Sequence, residues 1–364
     1  KNIAAVGDVN GDGFMDIAIT ARRQAFSAIE TGGIFVAFLS ADGLSAIGGS
    51  ALYLQSPGMQ SVRSRGITAN MGFSIGSAGD VDGNGVPDLV TAAAGQTNFI
   101  VLLLNRDGTI RRAEATLASD ASMASTAIAS SPAQIEGAAS SMPGRLSGSS
   151  RELLLLTPAW DPGSTPAAGS VHFASIDSSG LTVAAHSITA EDIGVAAGGD
   201  RFGHSAMMTP DLNGDGFEDM VVGAPGFNAG DGRLLIVYLS HNRTFVSSVV
   251  TTWSTLAQPG TGLGSSLHLL EPSLSSAGTL RFAVGATGWS TSTFNSGSIL
   301  LVELRADIRV IGSIVDSVLE QLAVRDFAPL SSSMGAGRSV AAWTNAASGT
   351  LQMVVGASGL TWPD

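Results

Sequence analysis

A nine-residue pattern of oxygen-bearing side chains and glycines occurs three times in the chain and limits its fold more than any other feature. The central copy spans residues 211–219, and the other two span residues 8–16 and 80–88. Each copy has Asp or Asn at positions 1, 3, 5 and 9 and Gly at positions 4 and 6. These glycines let the backbone turn tightly enough to aim the oxygens at one point, as a hard cation such as Ca²⁺ requires.

The pattern therefore predicts about three structural Ca²⁺ ions, each with a backbone carbonyl at position 7 as an additional ligand. Each copy carries three Asp at ligand positions, so an empty loop would hold a charge of about −3. The expected ligands are Asp8, Asn10, Asp12, Phe14, Asp16, Asp80, Asp82, Asn84, Val86, Asp88, Asp211, Asn213, Asp215, Phe217 and Asp219.

Two other kinds of calcium loop begin in the same way. An EF-hand needs a bidentate Glu at position 12 and a helix on each side, and a dockerin loop also expects a following helix. Position 12 is Ile19, Thr91 or Val222 in the three copies, and the segments that follow are short and β-branched. A hairpin of strand, cation loop and strand is the better interpretation.

Short glycine-containing segments flank the loops at a regular spacing. Phe202-Gly203 lies upstream of the central loop, and Gly223-Ala224-Pro225 follows it. Together with the loop, these residues resemble the FG-GAP repeat of integrin α-subunit β-propellers. Related pairs occur at Met71–Ile75 with Ala92–Ala94, at Leu263–Leu267 with Gly285–Thr287, and at Ala336–Val340 with Gly356–Ser358.

The resemblance implies an all-β fold, an integrin-like β-propeller of four-stranded blades, in a single domain over residues 1–364. The repeat length of roughly 60–70 residues is typical of propellers. Six repeats are recognisable, which implies a ring of six or seven blades. The last repeat is two strands short, so we expect another chain, or another segment of a longer polypeptide, to complete the ring. The repeats span approximately residues 1–60, 71–118, 119–190, 200–255, 262–325 and 334–364.

The third and fifth repeats lack the loop pattern. Residues 119–150 contain no Asp after Asp120, and residues 271–278 replace the loop of the fifth repeat, so we expect no cation in either. Met123–Ala127 and Glu152–Leu156 would be the first two strands of the third repeat. Residues 311–323 space their apolar side chains as a helix does, although the propeller requires a strand here. We expect a strand near Arg309–Val315 and then a helical turn.

Composition limits the classes of partner. The net charge is −12 and there is no basic cluster, which argues against nucleic acid and anionic membrane surfaces. No run of 18 apolar residues is present, so we expect no membrane insertion. Cys is absent, so stability has to come from the metal loops and from burial between blades. Weak calcium loops suit the millimolar Ca²⁺ outside cells, and the sequon at Asn242 is compatible with a secreted glycoprotein.

Some residues look catalytic but fit a structural role better. Gly72–Gly76 matches the G-x-S-x-G pattern, which needs a strand, a turn and a helix, whereas this segment should open a propeller strand. The five His show no pairing at the spacing of a metal site or a catalytic triad. Carboxylates held by Ca²⁺ would stay ionised and unavailable for proton transfer. We therefore expect no enzymatic activity.

Four aromatic residues follow second strands by a few residues: Trp160, Phe227, Trp289 and Trp362. The loops that carry them should emerge on the propeller face opposite the metal loops. They could stack on sugars or anchor a protein ligand. They could equally pack within the blades, and both interpretations stay open.

The resemblance implies a calcium-stabilised extracellular recognition module in a cell-surface adhesion protein or a surface filament. The expected partner is an extracellular protein or a glycan. One alternative is a propeller lectin that binds carbohydrate. Another is a non-catalytic propeller attached to a secreted hydrolase or lyase.

Overall fold

The chain folds into β-sheets. The computed structural model describes residues 2–21, 32–43, 45–68, 71–93, 98–117, 119–120, 137–139, 151–157, 168–194, 198–251, 260–270, 279–288, 298–306, 314–323, 335–344 and 351–358. These residues form five four-stranded antiparallel sheets, one two-stranded sheet and two short helical segments. No helix among them has the length and hydrophobicity that would be needed to span a membrane.

Each four-stranded sheet is one blade, and its strands lie side by side in chain order. The first three blades contain β1 (Ile3–Gly7), β2 (Asp16–Ala21), β3 (Gly33–Leu39) and β4 (Ala46–Tyr53); β5 (Met71–Gly79), β6 (Asp88–Ala93), β7 (Asn98–Leu104) and β8 (Ile110–Leu117); and β9 (Gly137–Ala139), β10 (Arg151–Thr157), β11 (Ser170–Ile176) and β12 (Thr182–Thr189). The fourth and fifth contain β13 (Ser205–Thr209), β14 (Asp219–Ala224), β15 (Arg233–Leu239) and β16 (Phe245–Thr251); and β17 (Leu263–Leu269), β18 (Thr279–Ala286), β19 (Ser298–Ala306) and β20 (Ile314–Ala323).

The remaining elements are short. The two-stranded sheet pairs β21 (Gly335–Thr344) with β22 (Leu351–Ser358). The helical segments are α1 (Gln60–Ser64) and α2 (Phe227–Gly230). Two residues of α2, Asn228 and Ala229, have left-handed backbone angles, so α2 is a tight turn rather than a regular helix.

The number of blades expected from the sequence was wrong. The fold is a β-propeller with five four-stranded blades, where we expected six or seven. Among the described residues of the sixth repeat, the strands form one two-stranded sheet. In the third blade, Gly137–Ala139 pairs with β10 as the first strand. The first strand expected at Met123–Ala127, and the segments expected to replace metal loops at 121–136, 140–150 and 271–278, lie outside the described residues.

The helical turn expected after Val315 was also wrong, because Ile314–Ala323 is one continuous strand paired with β19. Leu301 pairs with Glu320, and the next residue, Val302, pairs with Val318. Leu319 is therefore the extra residue of a β-bulge. An extra residue breaks the alternation of side chains along a strand. Pairing with β19 therefore outweighs the helical spacing of the apolar residues in this segment.

The chain divides into two compact units. The first comprises Lys1–Trp160, Val171–Ser187 and Trp343–Met353, and the second comprises Asp161–Ser170, Ile188–Ala342 and Val354–Asp364.

In the first unit, the middle strands are buried on both faces because each face belongs to a different hydrophobic core. Ile100 and Leu102 of β7 pack into a core shared with the first blade. The alternate residues of that strand, Phe99 and Val101, pack into a core shared with the third blade. A strand buried on both faces reads as a continuous apolar run, as Phe99–Leu104 does. In the second unit, the fourth and fifth blades share a core of the same kind.

Neighbouring blades also touch through a seam of backbone contacts. The residue just before β3, β11 or β15 is a glycine that forms a parallel bridge with the next repeat: Gly32 with Met71, Gly169 with Phe202, and Gly232 with Leu263. A side chain would not fit, because a Cβ on Gly232 would lie 2.3 Å from both Leu263 N and Leu263 O. Nearby side chains support the seam, since Asn2 Nδ2 donates to Phe73 O at 3.0 Å and Ser205 Oγ donates to Gly264 O at 2.7 Å.

The seam generates a stability prediction. Gly232→Ala forces an alanine into the left-handed backbone conformation and brings its Cβ against the backbone of Leu263. It should therefore lower the free energy of unfolding by about 2–4 kcal/mol. Gly66→Ala is the matched control, because φ is +80° at Gly232 and +83° at Gly66, but a Cβ at Gly66 meets nothing within 4 Å. The control should cost only about 1–2 kcal/mol. Equal losses in urea denaturation would contradict the seam as described.

Candidate metal loops

Each nine-residue pattern is the connection between the first and second strands of a blade. Loop 1 (residues 8–16) joins β1 to β2, loop 2 (80–88) joins β5 to β6, and loop 3 (211–219) joins β13 to β14. The flanking strands pair with each other in all three cases. The predicted hairpin of strand, loop and strand is therefore confirmed, and the EF-hand and dockerin alternatives are excluded.

Backbone amides hold the first carboxylate of each loop. In loop 1, Asp8 Oδ1 accepts from Gly11 N at 2.7 Å and Asp12 N at 3.0 Å, and Asp8 Oδ2 accepts from Gly13 N at 2.8 Å. Loop 3 repeats this arrangement around Asp211, and Asp80 of loop 2 accepts from two amides. Gly11 and Gly13 have φ of +82° and +90°, which allows the loop to wrap around the carboxylate.

The last carboxylate of each loop is buried and links the loop to the blade. Asp219 is 0% exposed, and its Oδ2 accepts from Leu212 N at 2.8 Å while its Oδ1 accepts from Leu239 N at 3.0 Å. Leu239 ends the third strand, so a single side chain ties the loop to that strand. Asp16 and Asp88 make the equivalent two hydrogen bonds and are also 0% exposed.

Burial makes these carboxylates weaker acids than usual. It raises the pKa of Asp88 to about 7, although the backbone hydrogen bonds from Leu104 and Val81 oppose the shift and the charge on Asp80 adds to it. Burial likewise raises the pKa of Asp219 to about 6, and it raises the pKa of Asp16. Burial therefore disfavours the ionised form of these carboxylates. A bound cation would supply a compensating charge.

The donor set fits a hard divalent cation. In loop 2, oxygens of Asp80, Asp82 and Asp88 all lie within 4.8 Å of one another. All side-chain donors at the ligand positions of the three loops are carboxylate or amide oxygens, which Ca²⁺ prefers. Metal ligation by the fifteen residues named from the sequence, including the carbonyls of Phe14, Val86 and Phe217, stays a prediction.

The structure adds charged neighbours that sequence reasoning missed. Arg111 of β8 donates from Nη2 to Asp82 Oδ2, inside the ligand set of loop 2. Arg243 donates to Glu218 Oε2 at 2.6 Å, next to the last ligand position of loop 3. Both arginines come from the hairpin of the third and fourth strands, more than twenty residues away in sequence. No local pattern could have indicated these pairs.

Among the four aromatic residues proposed as ligand contacts, only Phe227 lies in the described part of the chain. The centroid of its ring is 4.0 Å from the guanidinium carbon of Arg233. Arg233 in turn donates to Asp200 Oδ2 at 2.9 Å in a buried ion pair. This contact favours a packing role for Phe227. The prediction for Trp160, Trp289 and Trp362 falls on residues outside the described ranges.

The residues that resemble catalytic groups occupy structural positions. Ser74 of the G-x-S-x-G segment is buried within β5, and the strand continues past it to Gly79, so no nucleophile elbow forms. His172 is buried between two hydroxyls, with Nε2 2.6 Å from Thr157 Oγ1 and Nδ1 2.6 Å from Ser187 Oγ. It thereby joins β10, β11 and β12.

A family model described as the FG-GAP repeat matches residues 2–27 and 202–237, which contain loops 1 and 3 with their flanking strands. The chain contains FG-GAP repeats within a β-propeller fold. The resemblance inferred from Phe202-Gly203 and Gly223–Pro225 is thus confirmed. No curated protein matches the sequence. Drosophila Semaphorin 2a is a solved structure similar to this chain, with a TM-score of 0.37 and 9% sequence identity. The match covers 85% of this chain and 58% of that chain. The chain thus spans little more than half the length of that protein.

The buried carboxylate of loop 3 gives a prediction that separates structure from cation binding. Asp219→Ala leaves the amides of Leu212 and Leu239 buried without acceptors, so it should cost about 2–6 kcal/mol even without calcium. Asp215 is exposed, and water can replace its hydrogen bonds. Asp215→Ala should therefore cost less than about 1 kcal/mol in chelator. Chemical denaturation with and without chelator measures both, and similar losses in chelator would contradict the assigned roles.

His172 gives a pH prediction. Burial, and secondarily the charge of His186, lowers the pKa of His172 to about 3, against an ordinary value of 6.5. Between these pH values the unfolded chain binds a proton that the folded chain does not, so stability is lost as pH falls below 6.5. The slope from this group is at most about 1.4 kcal/mol per pH unit. His172→Gln should remove that part of the slope in denaturation curves from pH 7 to 5, and an unchanged slope would refute the assignment.

Proposed function

We propose that this FG-GAP propeller is a calcium-stabilised extracellular recognition module that binds a protein or glycan partner. The observation that carries the proposal is the shared construction of the three loops. Each has one carboxylate wrapped by backbone amides, one buried carboxylate tied to the third strand, and further oxygen donors between them. This construction serves cation binding in a rigid frame.

Calcium, when bound, would supply positive charge to each loop. The residues that would hold it are the Asp and Asn at positions 1, 3, 5 and 9 of each loop and the carbonyl at position 7. Because these positions span the connection between the first two strands and reach the third strand through Asp16, Asp88 or Asp219, binding would stabilise the whole blade. Such a site adds about 2.7 kcal/mol to the free energy of unfolding when free calcium is at 100 times the dissociation constant of the site.

Two features support an extracellular location. Loops of this kind in extracellular modules bind calcium at roughly 10⁻⁴–10⁻³ M, which matches the concentration outside cells. The sequon residue Asn242 is exposed in the turn between β15 and β16, where a glycan would have room. The preceding residue, His241, stacks on Phe217 of loop 3 with 5.6 Å between ring centroids. The turn that would carry the glycan is thus held against a cation loop.

Recognition fits the structure better than catalysis does. FG-GAP propeller domains are usually non-catalytic. In this chain the Asp clusters are engaged by backbone amides, Ser74 lies inside a strand, and His172 is buried between hydroxyls. A rigid frame of metal-tied blades is suited to presenting the loops between strands to a partner.

The calcium part of the proposal predicts a large effect of chelation. Excess EDTA should lower the thermal midpoint by several degrees, because each site that loses its ion loses stabilisation of the folded state. Asp211→Ala should reproduce part of this loss and should make the remaining loss on chelation smaller. Restoring Ca²⁺, but not Na⁺ at the same ionic strength, should restore the midpoint. An identical midpoint in chelator and in calcium would overturn the calcium part.

The recognition part is tested with the same protein on arrays of extracellular proteins and of glycans, each probed in calcium and in chelator. We expect calcium-dependent binding to a protein, and signals confined to sugars would favour the lectin alternative. Phe227→Ala then tests the aromatic contact, because its packing on Arg233 predicts lower stability with unchanged partner affinity. Arrays without any signal would count against recognition while leaving the calcium part intact.

A further inference from the structure

Loop 2 differs from the other two loops in where its negative charge lies. Position 3 is Asp82 in loop 2 but the neutral Asn10 or Asn213 in loops 1 and 3. Position 5 is correspondingly Asn84 in loop 2. The amide of Asn84 is tied to the blade, since its Nδ2 donates to Leu104 O at 2.9 Å. Each loop thus keeps three carboxylates, but loop 2 has moved one of them from position 5 to position 3.

Arg111 meets the displaced carboxylate. It lies on β8, the outer strand of the same blade, and its Nη2 donates to Asp82 Oδ2. The side chain of Asp82 is 5% exposed and that of Arg111 is 46% exposed, so the ion pair lies at the edge of the loop with its anionic end covered. Asp82 is also one of the three carboxylates whose oxygens lie within 4.8 Å of one another.

A second arginine lies close by. Arg106, in the turn between β7 and β8, comes so near loop 1 that a Cβ on Gly11 would lie 2.6 Å from its Nη1. Its Nη2 is 3.8 Å from the Cβ position of Gly85 in loop 2. The hairpin of β7 and β8 therefore brings two positive charges to the side of loop 2.

Loop 3 shows the alternative arrangement. Its hairpin also supplies an arginine, Arg243, but that guanidinium binds Glu218 Oε2 at 2.6 Å. Glu218 occupies position 8 of the pattern and is not among the expected ligands. The arginine at loop 3 thus has a carboxylate partner outside the ligand set, whereas the arginine at loop 2 binds within it.

We propose that Arg111 is an internal counter-ion of loop 2, which stabilises the calcium-free loop and weakens its affinity for calcium. The inference rests on the proposed calcium binding. A cation that enters loop 2 has to take Asp82 Oδ2 from the guanidinium, and the two positive charges then repel each other. Loop 2 is accordingly the last of the three loops to fill as calcium rises, and its hairpin keeps its shape when calcium is low.

This role predicts two effects of opposite sign from one substitution. Arg111→Gln removes the counter-ion, so the calcium-free protein should unfold at a lower temperature. The same change should raise calcium affinity at one site by roughly tenfold, because a like charge beside the cation has gone. A merely structural arginine would instead lower stability and leave affinity unchanged or reduced.

The experiment is a calcium titration by isothermal calorimetry, together with thermal unfolding in chelator, on wild type, Arg111→Gln, Arg111→Lys and Arg112→Gln. Arg112 is the matched control, because it lies next in the strand, is 50% exposed and pairs with Glu114 at 2.7 Å. Arg112→Gln should leave affinity unchanged, and Arg111→Lys, which keeps the charge, should stay close to wild type. The three variants are exposed on β8, so all should fold.

The outcomes separate the two proposals. Calcium binding by wild type with no gain in affinity for Arg111→Gln would overturn the counter-ion role and leave the proposed function standing. A gain in affinity without a lower midpoint in chelator would also overturn it, since the calcium-free loop would then not depend on Arg111. If neither wild type nor Arg111→Gln binds calcium, the counter-ion role and the calcium part of the proposed function both fall.

Discussion

Each blade that contains one of the three nine-residue loops depends on one buried carboxylate. Asp16, Asp88 and Asp219 lie where an exposed loop meets the interior, and each accepts one amide from the loop and one from the end of the third strand. Without this side chain the loop would lose its buried attachment to the third strand. With it, the positions of the other oxygen donors are fixed relative to the core, so what happens in the loop is transmitted to the sheet.

Burial of the same carboxylate also makes its ionised form unfavourable. The pKa of Asp88 rises to about 7 as a result. A bound cation would offset this effect, because it favours the ionised form at each loop. Loop 2 also has a positive charge of its own, because the guanidinium of Arg111 pairs with Asp82, another carboxylate of the same loop. Under the counter-ion proposal, Arg111 and a bound cation would compete for Asp82, which would make loop 2 distinct from loops 1 and 3.

The sequence predicted local features well because their causes are local. The glycines and acids of residues 8–16, 80–88 and 211–219 determine the hairpins, and the run Gly33–Leu39 matches a strand to the residue. What it could not give depends on contacts distant in sequence. In Ile314–Ala323, pairing with β19 overrode the helical spacing of the apolar residues. The blade count failed because a repeat recognised by its flanking glycines need not have four strands. Arg111 and the packing of Phe227 on Arg233 were invisible for the same reason, since neither pair has a sequence signature.

The glycine seams have a consequence for how such a protein can change over time. Where blades meet at Gly32, Gly169 and Gly232, the contact is made by main chain against main chain. Contacts of this kind recognise no particular side chain, so the seam itself requires only the glycine, whereas the cores shared between blades still require matching side chains. Copies can then be gained, lost or trimmed by duplication and deletion while the seam geometry persists.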